Sequence, residues 1–221
     1  MPQLIDTPHL IIALAPLAVY LFVIGVLHLS PRPVCLTGAR ETLGLGLAVS
    51  GMILIGPMEL FVPAATAFQL GGYVWLLLIA FYGMSLLLVV LVRRPRLVVY
   101  NVSEEQMRAV LASIVSELDR DARWAGDCLF LPALGVQLSV EAAPLVRYVE
   151  LVSAGVVQSF EGWGRLETSL RHALRQQTRT RGLYGAGLVL ASLALAGLMA
   201  LSAVSSPLSI AQLREMLHVA P

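Results

Sequence analysis

Glu59 is the residue best placed for chemistry inside an apolar run. It lies in GMILIGPMELFVP, residues 51–63, as the lone ionisable side chain, with Pro57 two positions before it. A carboxylate within a bilayer can bind and release a proton or a cation, and such groups mark ion pathways. Proline removes a backbone N–H and frees a carbonyl one turn earlier, which admits water or bends a helix. The competing reading is an interfacial acid that reaches the outer loop. Depth separates the two. The apolar segment is centred near Met52, so at 1.5 Å per residue Glu59 is about 10 Å from the midplane. The hydrocarbon half-thickness is roughly 15 Å, so Glu59 lies about one turn from the interface. A proton relay also needs several groups. The other intramembrane candidate, His28, falls at the opposite end of its own segment. The carboxylate therefore reads as close to water.

Other chemistry has weaker local support. Arg93, Arg94 and Arg96 open one connection and Arg179 and Arg181 close it. These arginines are candidate contacts for anionic lipid headgroups, beside the plainer role of fixing topology. Asn101-Val102-Ser103 matches a glycosylation pattern, but Ser103 is better used as a helix cap and the segment reads as cytoplasmic. Cys35 and Cys128 lie far apart, and the four histidines are scattered. No spacing suggests a disulfide, a metal site or any other cofactor. No nucleophile stands beside a base, and Asp119 and Asp121, flanking Arg120, read as a solvated helix end. The net charge of +1 gives no clustered basic face for nucleic acid.

Composition places these residues in a membrane. The 221 residues are 57% hydrophobic and 13% charged, against about a quarter charged in soluble domains. The mean hydropathy is +0.80. Four segments, about 10–29, 42–62, 73–92 and 182–205, reach the roughly 20 residues that span a bilayer. The first lacks a basic flank and is followed by Pro31, Arg32 and Pro33, so it reads as an uncleaved helix rather than a signal peptide. Arginines fall in the first and third connections and are missing from the second. The positive-inside rule then puts both termini outside and residues 93–181 in the cytoplasm. Small residues four apart (Gly44 and Ala48, Gly187 and Ala191, Ala196 and Ala200) let helices approach closely, within this bundle or in a homo-oligomer.

Residues 93–181 are patterned differently. Residues 97–100 read as a strand. Ser103 and Gln106 form a capping box, with Val102 and Met107 as its staple. The helix that follows carries Met107, Val110, Leu111, Ile114, Val115 and Leu118 on one face. Strand signals recur at 128–132, 136–142 and 147–153. A last helix starts near Phe160, with Trp163, Leu166, Leu170, Ala173 and Leu174 on its stripe. Trp124 and Trp163 are expected to pack between sheet and helices. The order β-α-β-β-β-α predicts an antiparallel sheet with helices on one face, a small two-layer α+β domain. With no proline at 176–182, the last helix is expected to run nearly continuously into the fourth span. Residues 206–221 read as a short amphipathic helix on the outer face.

These readings converge on a four-helix membrane protein of a bacterial inner membrane with an inserted cytoplasmic α+β domain. Its expected role is non-enzymatic: an anchor, accessory or interaction subunit, contacting membrane lipids and a protein partner or a second copy. The alternative is a small transporter or channel component using Glu59. The first reading predicts that Glu59→Gln leaves proton and cation flux into proteoliposomes at the level of empty vesicles, as in the parent chain. A parent flux that the substitution abolishes would establish the alternative.

Overall fold

A computed structural model of the chain describes residues 7–61, 73–156, 158–176 and 184–205. The elements run α1 (Thr7–Leu29), β1 (Val34–Thr37), α2 (Gly38–Phe61), α3 (Tyr73–Val92), β2 (Arg96–Tyr100), α4 (Glu104–Leu118), β3 (Arg123–Ala125), β4 (Cys128–Leu131), β5 (Val136–Ala143), β6 (Tyr148–Ser153), α5 (Phe160–Arg175) and α6 (Tyr184–Ser205). A 3-10 turn, Pro144–Val146, joins β5 to β6. The chain divides into two compact units. One comprises Met1–Ile24, Leu43–Leu91 and Gly187–Pro221; the other comprises Gly25–Thr42 and Val92–Ala186.

In the first unit α1, α2, α3 and α6 each contain a stretch long and apolar enough to cross a membrane. No residue of α3 is buried. A helix apolar all round, with its side chains open, needs an apolar surrounding. Small residues and hydroxyls join the helices where they meet. A Cβ on Gly51 would come within 2.3 Å of the Ile12 carbonyl oxygen, so glycine permits α1 and α2 to touch there. The Tyr82 hydroxyl donates to the Gly46 carbonyl at 2.6 Å, and Ser192 Oγ to the Ala18 carbonyl at 2.8 Å. Ala48 is buried, whereas Gly187, Ala191, Ala196 and Ala200 are exposed.

The second unit is built on a six-stranded antiparallel sheet of order β1-β2-β6-β5-β4-β3. Its inner face packs against α4 and α5. Leu97, Val99, Leu129, Leu131, Val136, Leu138, Val149 and Leu151 from the strands meet Met107, Leu111, Val115, Leu166 and Leu170 from the helices. Local sequence explains both helix starts. Ser103 and Gln106 close the expected capping box, and Ser159 caps α5 through the Gly162 amide. The expected apolar stripes of both helices are buried except at Leu118 and Ala173, which are partly buried.

Several features depart from the sequence reading. The sheet has six strands where four were expected. β1 comes from the first inter-helix connection and pairs with β2, Cys35 opposite Val99. β3 is too short and too exposed to show a period. Trp124 on β3 is not core: it is exposed at the sheet edge, with the Arg108 guanidinium 5.9 Å from its ring centroid. Asp119 is not a solvated end either. It is buried, and its carboxylate accepts from the Asp121 and Ala133 amides at 2.9 and 2.8 Å. α5 ends at Arg175 with Gln176 as its cap. The expected continuity across 177–183 and the expected tail helix at 206–221 lie outside the described residues.

The Cys35 thiol tests whether β1 joins the sheet. Burial pushes it up to about 11, the Arg171 charge opposing and the Glu167 charge adding. Since the thiolate is the nucleophile, Cys35 is expected to react with a maleimide at pH 8 about a hundredfold slower than a free cysteine. The half-exposed Cys128 should be modified first. Equal rates at the two sites, followed by mass spectrometry, would remove β1 from the fold.

Candidate functional site

The densest polar cluster lies on the outer face of the sheet, where β2 and β6 meet the first turn of α2. Strand alternation puts Arg96, Val98 and Tyr100 of β2, with Tyr148 and Glu150 of β6, on the side away from α4 and α5. The register sets Tyr100 opposite Tyr148 and Val98 opposite Glu150. Gly38, Glu41 and Thr42 open α2 against this face. A Cβ on Gly38 would fall 2.1 Å from Arg96 Cγ, so the glycine leaves room for the arginine stem.

One guanidinium serves two carboxylates. Arg96 Nη1 donates to Glu150 Oε1 at 2.6 Å, and Nη2 lies 3.0 Å from Glu41 Oε2. The second contact is an ion pair without hydrogen-bond alignment, since Glu41 Oε2 is buried with no donor directed at it. Tyr100 donates its hydroxyl to Glu41 Oε1 at 2.9 Å. The Tyr148 hydroxyl sits 3.2 Å from both Glu41 Oε1 and Glu150 Oε2, and with one proton it donates to one of them at a time. The side chains of Arg96, Glu41 and Glu150 are 20%, 16% and 15% exposed, so solvent screens the cluster weakly.

The electrostatics follow from this packing. Burial alone would lower the Arg96 pKa, but the Glu150 hydrogen bond and the charges of Glu150 and Glu41 outweigh it and raise the value. Burial, and then the Glu41 and Glu150 charges, hold the Tyr148 phenol protonated well above the usual tyrosine range. Arg96 Nε is buried with no acceptor. Burying that donor has a cost, and the ion pairs hold the guanidinium in place against it.

A second row of contacts joins the same face to the end of α1. The Asn101 amide nitrogen donates to the Leu27 carbonyl at 2.7 Å, satisfying a terminal carbonyl of the helix. Asn101 adopts a left-handed backbone, φ 67°, which asparagine tolerates. Buried and occupied in this way, the Asn101 amide is no glycan acceptor. His28 packs edge-on to Tyr100 at 5.2 Å, and Tyr100 to Tyr148 at 5.4 Å. The cluster therefore fixes the end of α1 and the start of α2 to the middle of the sheet. Its charges are spent on one another.

Of the arginines singled out for lipid, Arg96 is turned into this cluster. Arg93 and Arg94 are exposed, and Arg93 Nη1 donates to Thr42 Oγ1 at 3.3 Å. Arg179 and Arg181 lie outside the described residues. Glu59 falls in the last turn of α2, and its side chain also lies outside them. Sequence reasoning missed Glu41, Tyr148 and Glu150. RYVELVS marks Glu150 as outward-facing but cannot name a partner across the sheet, and Glu41 follows Arg40 in what reads as a loop.

The opposite layer carries a groove. A cavity of about 770 Å³ runs along the seam of α4 and α5, lined by Ser113, Glu117, Thr168, Ser169, His172 and Gln176 over a floor of Ile114, Leu118 and Ala173. It adjoins a second hollow that shares Leu118, Thr168 and Ser169 and adds Glu161, Gly164 and Arg165. Among the described residues, no three His, Cys, Asp or Glu side chains converge as metal ligands would.

The cluster yields two expectations. Arg96→Leu strands two poorly solvated carboxylates and should lower stability by about 3 kcal/mol, read by thermal melting in detergent. Replacing Glu41, Arg96 and Glu150 together by apolar residues should cost far less. Tyr148→Phe should cost about 1.5 kcal/mol near neutral pH, the worth of a hydrogen bond to a charged acceptor. The folded pKa of Tyr148 is raised, so its contribution is full below about pH 10, the unfolded value, and is lost as pH rises toward the folded value. The variant should lose less stability than the parent between about pH 9.5 and 11; identical slopes would leave Tyr148 without this role. No family model, no curated protein and no solved structure matches the chain.

Proposed function

We propose that this chain is a non-enzymatic integral membrane protein of a bacterial inner membrane, an anchor or accessory subunit whose cytoplasmic α+β domain holds a protein partner. The observation that carries this reading is the groove along α4 and α5. It lies on the layer opposite the face that receives the end of α1 and the start of α2, so a bound protein meets no obstruction from those helix ends. Its mixed lining of hydroxyls, a carboxylate, an imidazole and an apolar floor suits a protein surface, with polar groups that fix orientation above a small apolar base. The distribution of arginine supports the cytoplasmic side for this domain. The cluster at Arg96 supports an anchoring role, since it ties the sheet to the start of α2.

Ser169 is half-buried in the groove, and Ser169→Arg fills it without touching the core. Native mass spectrometry after gentle extraction is expected to show a stoichiometric second protein on the parent chain, reduced at least tenfold on Ser169→Arg, with unchanged melting of the chain itself. Equal recovery on both would sink the groove as the partner site. A homo-oligomer carrying only lipid would sink the accessory reading.

A further inference from the structure

We propose that the groove along α4 and α5 takes a basic side chain, a lysine or arginine of the protein it holds, with Glu117 as the counter-charge. This deepens the partner reading above and rests on it. Glu117 stands exposed on the α4 wall of the groove. Its carboxylate forms no ion pair among the described residues. The acid of the adjoining hollow, Glu161, is paired with Arg165 at 2.7 Å. The arginine closest to the groove is therefore engaged elsewhere, and the charge of Glu117 is left for a guest.

The hydroxyls of the lining favour the same occupant. Ser113 Oγ donates to the Val110 carbonyl and Thr168 Oγ1 to the Gly164 carbonyl, each at 2.8 Å. A hydroxyl has a single hydrogen, so both keep only lone pairs for a guest. A carboxylate is an acceptor alone. His172 and Gln176, further along the lining, can each present an acceptor as well. A group that enters must bring the hydrogens. Ammonium and guanidinium bring several donors and no acceptor.

The floor fits the stem of such a side chain. Ile114 is buried, and Leu118 and Ala173 are partly buried, so the base is apolar and closed. Lysine and arginine lay their methylenes on apolar surface and keep the charged head at a polar rim. The seam also continues into the hollow beside Gly164, where an added Cβ would meet nothing within 4 Å. The room exceeds one side chain, which fits a residue carried by a protein rather than a free cation. An acidic guest would set a like charge against Glu117, and a wholly apolar one would leave the carboxylate without a donor.

The test uses the full chain in a neutral detergent at low salt, with its isoleucines methyl-labelled for NMR. Ile114 is the only isoleucine of the second unit, and Ile114→Val assigns its signal. N-acetyl-arginine amide, N-acetyl-citrulline amide and N-acetyl-glutamate amide are titrated in turn; citrulline keeps the shape of arginine without the charge. The Ile114 methyl is expected to shift with the arginine probe in the millimolar range and to respond about fivefold more weakly to citrulline, the worth of an exposed ion pair. The glutamate probe should give no shift. Glu117→Gln should bring arginine to the citrulline value with unchanged melting of the chain. Equal binding of arginine and citrulline, arginine binding that survives Glu117→Gln, or no shift with any probe overturns the proposal. The native mass spectrometry above keeps the two readings apart. A partner lost on Ser169→Arg but held equally by the parent and Glu117→Gln retains the groove and overturns the basic side chain. Glu117-dependent arginine binding with no second protein on the parent supports the cation site and sinks the accessory reading.

Discussion

Arg96 stands four residues past the end of α3, and its guanidinium is held between Glu41 and Glu150. The rest of the domain depends on that position. Arg96 opens β2, and β2 is the strand that β1 and β6 flank. Glu41 belongs to the first turn of α2 and Glu150 to β6, so one side chain joins a helix start to the sheet's interior. Buried ion pairs seldom add much net stability, because desolvation offsets attraction. Their effect here is on arrangement: a strand slipped by one residue would turn Arg96 into the apolar core and point Leu97 at two carboxylates.

The two faces of the sheet divide the work. The inner face, with α4 and α5, is an ordinary apolar core closed by capped helices, and it makes the domain fold. The outer face is polar where it meets helix ends and partly open elsewhere. The last turn of a helix leaves carbonyls that need donors, and the Asn101 side-chain amide supplies one to Leu27 of α1. An apolar outer face could not have done so. The polar outer face is therefore what receives residues 27–30 and the first turn of α2.

That arrangement leaves the helix layer free. The groove between α4 and α5 lies on the layer opposite the cluster at Arg96.

The sequence by itself determined whatever depends on neighbours a few residues away. The four apolar helices, the Ser103 capping box, the stripe of Met107, Val110, Leu111, Ile114 and Val115, and the alternation of β5 and β6 all follow from local period and local hydrogen bonding, and they appear where the pattern put them. Tertiary structure decided what depends on long-range pairing. β1 is four residues in a proline-flanked connection, too short to carry a period, and is a strand only because β2 offers it an edge. Trp124 reads as core by type and is exposed because β3 is the edge strand, with no strand beyond it among the described residues. Glu41, Tyr148 and Glu150 are unremarkable in their own segments. They become a site because antiparallel register sets Glu150 diagonal to Arg96 while the first turn of α2 brings Glu41 to the same guanidinium, at 2.6 and 3.0 Å, a coincidence in space that no local spacing records.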